Sequence, residues 1–597
     1  MVSLGNFREQ PLGTAISGFI LEQIRERRPS LVFGACAFIV ICALLLGGGT
    51  RGGFLSDAVL ELLAVPALLI ALSSLIDLSK RKAAIKSDAH WALVLCAAIA
   101  ILPLVQLVPL PPWLWTALPG REEMTKVFGL LGHRLPWMPI SVSPSSTWLS
   151  FLSLLPPIAI FLSTIQLSYR ERRTLILVII IVGVISAFVG LIQVAEGPNS
   201  PWRFFAFTNL NEAVGFFANR DDFAALLYAV LVFASVWIID LGFRVGFWTD
   251  LKSTEHFAII AVTAVFMAVT VLLAAEAVAR SRAGLALTIV ALLAIFALSF
   301  RDRRRTAGAT PSKLLLGAII LAFILSVQFA LYRVLDRFTA DPLQDARIVF
   351  ARNTIQAAKA FMPFGAGLGT FVPVYATFER PIDTLANVYA NHAHDDFLEL
   401  WLETGVMGAL LFCLFAVWLG AQSVKSWRKP LATASAFDCT LARAATVVIG
   451  LLLAHSLVDY PMRTEAIMAV FAVSCALLVA PCRIAEHGMR VAREPDRDAV
   501  RRTPALAASM PAVASISPLE KPAAPVRGTE VLPPNPRQTS ARWGEDIQWP
   551  DEWRNSQEQK KPALGTSKSE PNGTAESGPS GTSEFDRGDS SGPDAKG

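Results

Sequence analysis

Twelve apolar stretches of bilayer length recur along the chain, at about 31–49, 55–78, 90–112, 147–167, 173–194, 221–240, 256–278, 283–300, 313–332, 397–422, 440–458 and 465–482. A helix needs roughly 20 apolar residues to cross the hydrocarbon of a bilayer. Inside that hydrocarbon every backbone N–H and C=O must be bonded within the protein, which leaves helices as the natural answer for runs of this length. The expected fold is therefore an all-α polytopic membrane protein with about twelve transmembrane helices. Composition agrees: 53% of the 597 residues are hydrophobic and only 17% charged, where a soluble chain carries about 25% charged residues. The second stretch departs most from the pattern, because it holds Asp57 and Glu61.

The charges between the stretches give a direction. Alternate connections carry Lys80-Arg81-Lys82, Arg170/Arg172/Arg173, Arg244/Lys252, Arg301-Asp302-Arg303-Arg304-Arg305 and Lys425/Arg428/Lys429. Short basic loops collect on the cytoplasmic side. Residues 1–30 carry Arg8, Arg25, Arg27 and Arg28, so they read as a cytoplasmic segment before an uncleaved first span rather than as a signal peptide. Twelve spans then return the C-terminus to the cytoplasm. The transmembrane domain is 31–482, and three sizeable connections fall outside, at about 113–146, 195–220 and 333–396. The third is the large periplasmic loop. From 483 to 597 the chain is rich in Pro, Gly, Ser and Thr, and it reads as a disordered cytoplasmic tail, too poor in aliphatics to offset chain entropy. Its Trp543, Trp549 and Trp553 are either a docking motif or incidental. The seven cysteines lie in or beside apolar runs, with no CxxC and no zinc spacing, so no disulfide framework is implied. No internal repeat is visible, which counts against a transporter built from two related halves.

The densest polar group is Asn391-His392-Ala393-His394-Asp395-Asp396, at the end of the large loop, running into an apolar helix with Gly405 and Gly408. Asp395 and Asp396 suit the capping of that helix. His394 has three readings: a surface histidine without a role, a metal site with His392, Asp395 and Asp396, or a general base that takes a proton from a hydroxyl. Arg280 and Arg282 lie in the turn before the eighth stretch, Arg220 heads the sixth, and Arg347 sits on an amphipathic helix expected near Gln344–Phe361. Topology does not favour positive charge outside, so four such arginines point to an anion, whose phosphate oxygens the guanidinium fork fits. A pyrophosphate neutralised by arginine has less need of a divalent metal, which favours the base over the metal. The run Pro363–Gly369, with three alternating glycines, follows no strand and is read as a close-packed turn, not a nucleotide loop. His455 and Asp459 stand one helical turn apart in the eleventh stretch. They are either a packing pair or a functional one.

His394-Asp395, nine residues, then Gly405-Val406-Met407-Gly408 resembles the hallmark of the O-antigen ligase and polymerase family of bacterial envelope glycan assembly. The Pro363–Gly369 turn, Ser281-Arg282-Ala283-Gly284 and Asn219-Arg220 are similar to the family's as well, and the resemblance spans about 195–480. The family usually has Asn, Ser or Gln where this chain has Asp395, an acid that would raise the histidine pKa or orient its ring. The resemblance implies a metal-independent, inverting glycosyltransferase of the bacterial inner membrane, acting on the periplasmic side without a cofactor. Its donor would be a glycan on undecaprenyl pyrophosphate, and its acceptor a lipid A-core or a growing polysaccharide end. By that resemblance His394 activates the acceptor hydroxyl, while Arg282 and Arg347 hold the pyrophosphate. Arg220, Arg280, His392, Asp395, His455 and Asp459 are supporting candidates. Membrane lipids surround such a chain, and no nucleic-acid partner is expected. The rival class is a twelve-helix transporter.

Overall fold

The computed structural model describes residues 30–50, 54–80, 87–247, 255–303, 346–383, 390–428 and 434–482, all within the compact unit Met1–Thr503. The stretch 313–332, the opening of the large loop and the tail with its tryptophans lie outside the described residues. What is described is helical, with one isolated backbone bridge between Leu110 and Met138 and no strand. In order the helices are α1 (Ser30–Leu46), α2 (Leu55–Lys80), α3 (Ser87–Gln106), α4 (Glu122–Leu130), α5 (Pro144–Leu152), α6 (Leu155–Thr164), α7 (Tyr169–Glu196), α8 (Arg220–Phe247), α9 (Glu255–Ala279), α10 (Arg282–Arg303), α11 (Ala346–Phe361), α12 (Phe371–Phe378), α13 (Asp396–Arg428), α14 (Ala436–His455) and α15 (Glu465–Leu477).

Eight segments among the described residues are long and apolar enough to cross a membrane: α2, α3, α5 with α6, α7, α8, α10, α13 and α14. Two expected spans are shorter apolar helices, α1 and α15, while α9 is an apolar helix of 25 residues. For α1 and α15 the reason is visible at their C-terminal ends. The glycines after α1 leave the helix so that their carbonyls can serve neighbours: Gly47 O accepts from Ala466 N at 2.9 Å and Gly48 O from Ala218 N at 2.9 Å. After α15 the chain turns, and Cys482 N donates to Ile165 O at 3.1 Å. The stretch with Asp57 and Glu61 is a regular helix, and its span Leu55–Ser79 is among the eight.

At one end Arg173 of α7 grips Asp438 of α14 at 2.7 Å, Lys425 of α13 meets Asp88 of α3, and Arg172 donates to the carbonyls of Thr164, Ile165 and Val479. Two helices begin at this end with capping boxes, Ser168 with Glu171 and Ser435 with Asp438, which satisfy orphan N–H groups. At the centre stands α8. Its span Arg220–Asp240 is 89% buried, against 22% for α13, so α8 is the helix around which α7, α9, α10, α14 and α15 pack.

The other end holds the kink that shapes the site. Gly405 interrupts α13 with φ 57° and ψ −143°. The N–H of Val406 therefore turns away from its own helix and donates to Pro363 O at 2.9 Å. The carbonyls this frees are taken up by the glycine turn: Ala366 N donates to Leu402 O at 3.0 Å and Gly367 N to Glu403 O at 2.9 Å. Gln106, at the end of α3, ties both sides, donating to Glu403 O and accepting from Leu368 N, each at 2.9 Å. The turn at Pro363–Gly369 is thus close-packed, as its glycines imply. A Cβ on Gly365 would sit 2.5 Å from the Glu403 carbonyl oxygen.

Candidate active site

Four elements meet at this end. The turn after α14 supplies Asp459, the start of α8 supplies Asp221, α11 supplies Arg347 and Phe350, and the residue before the α13 cap supplies His394. His394 adopts φ 53°, a left-handed conformation that a non-glycine residue adopts at a cost of about 1–2 kcal/mol. Its neighbour explains the placement. Asp395 caps α13 by accepting from Phe397 N and Leu398 N at 2.9 and 3.0 Å, so the chain must bend into the helix just before it. The bend delivers the imidazole to Asp459, with Nδ1 2.9 Å from Oδ1. Phe350 stacks on the other side, its ring centroid 5.8 Å away at 19°, and Tyr460 meets the ring edge at 4.9 Å. With Nδ1–H donated to a carboxylate, the lone pair of the ring is on Nε2, the arrangement that a histidine base needs.

Asp459 is fully buried and holds two partners, the His394 imidazole and the Arg347 guanidinium. Its other oxygen lies 3.3 Å from the Arg347 guanidinium, which also reaches Asp221 at 3.4 Å. Burial by itself would push the Asp459 carboxyl up. The hydrogen bond from His394, with the charges of His394 and Arg347, holds it well below the usual carboxylate range. Beside this group opens a cavity of about 560 Å³, with Arg282, Arg347, His394 and Asp395 as its polar residues. The rest of its lining is aliphatic and includes Ala283, Leu287, Ile348 and Leu457. Arg282 is the first residue of α10, whose start is capped by Ser281 Oγ accepting from Gly284 N at 2.9 Å. Two arginines and a helix N-terminus line the cavity, which suits an anion.

The sequence candidates thus divide. His394, Arg282, Arg347, Asp395 and Asp459 come together. Arg220 does not line the cavity; it pairs with Glu212 at 3.1 Å and braces the segment before α8. Arg280 is the last residue before the capping Ser281, holds φ 56°, and also lies outside the lining. Both ring nitrogens of His392 are engaged, Nδ1 with Glu399 at 2.9 Å and Nε2 with Thr50 O at 3.0 Å. Burial lowers the His392 pKa, but Glu399 more than offsets it, leaving the value raised. His455 and Asp459 do not pair as side chains. His455 is buried against Tyr228, its Nδ1 3.1 Å from the hydroxyl. Asp395 does not orient the His394 ring; Asp459 does, because the acid after the histidine is committed to the helix cap.

Three contributors escaped the sequence. Asp221 follows the Asn219-Arg220 motif, yet its tie to Arg347 spans 126 positions. Phe350 is one turn along α11 from Arg347 and looks like any apolar residue of an amphipathic helix. Arg463 is 2.8 Å from Glu403, 3.5 Å from Glu399 and 3.6 Å from Asp396, three acids on one face of α13. The i, i+3, i+7 spacing of those acids in an apolar run was the available signal.

Residues 262–413 match the family model described as O-Antigen ligase. The match supports assignment to the O-antigen ligase and polymerase family, whose members are glycosyltransferase-like enzymes of polysaccharide assembly. Together with the apolar helices it points to a membrane protein. No curated protein matches the chain. The O-antigen ligase match contains Arg282, Arg347, His394 and the Gly405 kink, while Asp221, Asp459 and Arg463 lie outside it and reach the site through the fold.

Proposed function

We propose that this chain is a glycosyltransferase of the inner membrane that moves a glycan from undecaprenyl pyrophosphate to a hydroxyl acceptor on the periplasmic face. The reading has about twelve spans with both termini in the cytoplasm. The observation that carries it is the cavity that joins His394, held by Asp459, to Arg282 and Arg347. His394 Nε2 removes the acceptor proton as the acceptor oxygen bonds to the anomeric carbon. The bond from that carbon to the pyrophosphate oxygen breaks from the opposite side, which inverts the centre, and its electron pair leaves on the pyrophosphate. Arg282 and Arg347 stabilise that developing charge, the place where fixed donors contribute most. Asp459 stabilises the imidazolium that results. With both guanidiniums on the phosphates, the step proceeds without a divalent metal. The aliphatic lining of the cavity suits the polyprenyl portion of a lipid-linked donor.

The acceptor is a lipopolysaccharide core in a ligase and a growing chain end in a polymerase. A transporter is disfavoured, because His394, Arg282 and Arg347 gather at one end of the bundle and not at mid-membrane. The test is transfer in proteoliposomes from a synthetic polyprenyl-pyrophosphate glycan, with and without chelator. Transfer that persists in chelator agrees with the proposal, and strong inhibition by chelator contradicts it. Deletion in cells separates the acceptors: loss of all long chains from the core marks a ligase, and a single repeat left on the core marks a polymerase.

A further inference from the structure

The chain between α3 and α5, residues 107–143, is not a plain connection. The flanking segments, α3 and α5 with α6, are long and apolar enough to span, and both reach this segment at the end that holds His394. Its one longer helix, α4, has Met124, Val127, Phe128 and Leu131 at helical spacing, opposite Glu122 and Lys126. None of its residues is buried. Phe128 turns inward, its ring 6.4 Å from Trp115, and Trp115 is fixed by donating to Pro136 O at 2.8 Å. The remaining apolar surface is open: Leu131 is 62% exposed, Val127 52%, Trp113 73% and Trp137 66%.

We propose that residues 107–143 form an interfacial anchor whose partner is the bilayer surface on the side of the His394 site. An amphipathic helix lies flat at that depth with its apolar face in the acyl boundary, and tryptophan is the residue that gathers there. The excursion that holds α4 begins and ends at membrane helices, so the headgroup layer is what its open face meets. The anchor is also tied to the site. Gly120 lies so close to Phe361, the last residue of α11, that a Cβ would fall 2.6 Å from the ring. The Arg121 guanidinium stands over the same ring at 6.0 Å and donates to Ile140 O. Val142 N donates to Ala366 O of the glycine turn at 2.8 Å. The depth of the anchor therefore sets the depth of α11, and with it of Arg347.

The test attaches an environment-sensitive fluorophore to Val127→Cys or, separately, to Glu122→Cys. The full-length protein carries Cys413→Ser in both, because Cys413 is the exposed cysteine of the seven. The labelled protein is reconstituted into phosphatidylcholine vesicles whose acyl chains are brominated near the headgroup or near the chain end. Val127→Cys is expected to give a blue-shifted emission, quenched several-fold more by shallow than by deep bromines, and Glu122→Cys a water-like emission. A water-like, unquenched signal at Val127→Cys would overturn the proposal, since the face would then look into solvent. A blue shift that bromines do not quench and that grows with protein-to-lipid ratio would also overturn it, assigning the face to a second copy.

Discussion

Replacing Gly405 by alanine tests the architecture that holds His394 above its helix. Gly405 combines φ 57° with ψ −143°, a region that is essentially reserved for glycine. Forcing an L side chain there costs about 1–3 kcal/mol before any contact is made. The added Cβ would lie 2.2 Å from the Pro363 carbonyl oxygen and 2.8 Å from Gly365 N. Both obstacles are backbone, so neither can rotate aside. Relief requires the glycine turn to withdraw, which breaks the bonds from Val406 to Pro363, Ala366 to Leu402 and Gly367 to Glu403. At about 1 kcal/mol each, their loss brings the total to about 4–6 kcal/mol. Gly420 is the internal control. It lies in the same helix, and a Cβ there meets nothing within 4 Å. Gly420→Ala is expected to be neutral or stabilising by up to about 1 kcal/mol, since alanine favours a helix over glycine. The assay is thermal inactivation of detergent-purified protein followed by size-exclusion chromatography. Gly405→Ala should lose monodisperse protein at a markedly lower temperature than wild type, and Gly420→Ala should not. Equal stability of Gly405→Ala and wild type would refute the kink as described.

Three further outcomes follow from the charges. Asp459→Asn removes the acceptor that fixes the His394 tautomer and one anchor of Arg347, so transfer should fall by about 10²–10⁴-fold with the protein still inserted; a loss below tenfold in a rate assay would contradict the assigned role. Arg463→Met leaves Asp396 and Glu403 buried without their cation, and Glu399 with His392 alone, and should cost about 3–5 kcal/mol, read as a loss of folded protein on extraction. His392 has a raised pKa in the fold, against about 6.5 unfolded, so its pairing with Glu399 stabilises fully below about pH 6.5 and is lost as pH rises through the raised value. The thermal gap between wild type and His392→Gln should therefore shrink from acidic to alkaline buffer, and a gap independent of pH would remove the imidazolium from the account.

The membrane helices were legible because hydrocarbon imposes one rule on long apolar runs, and α7, α8 and α13 show it. The rule does not locate ends. The stretch at 31–49 is expected to span, yet Gly47 and Gly48 leave the helix to bond Ala466 and Ala218, partners far along the chain. The site was legible where its residues sit in turns with unusual composition, as His394, Arg282 and Asp459 do. It was hidden where the decisive fact is a long-range contact. Asp221 and Phe350 have ordinary sequence settings, and Gln106 is a polar residue at a helix end until the kink at Gly405 supplies the carbonyl it binds. Asp395 had two readings in sequence, a cap and a ring-orienting acid, which look alike there, and the N–H groups of Phe397 and Leu398 distinguish them in favour of the cap.

The central claim is that His394 is the base of a glycosyl transfer. Its most direct test is the rate of transfer from a polyprenyl-pyrophosphate glycan by His394→Ala, reconstituted at the same density as wild type. The account predicts donor binding close to wild type, because Arg282 and Arg347 remain, with transfer reduced to the limit of detection. Transfer at the wild-type rate by His394→Ala would contradict it.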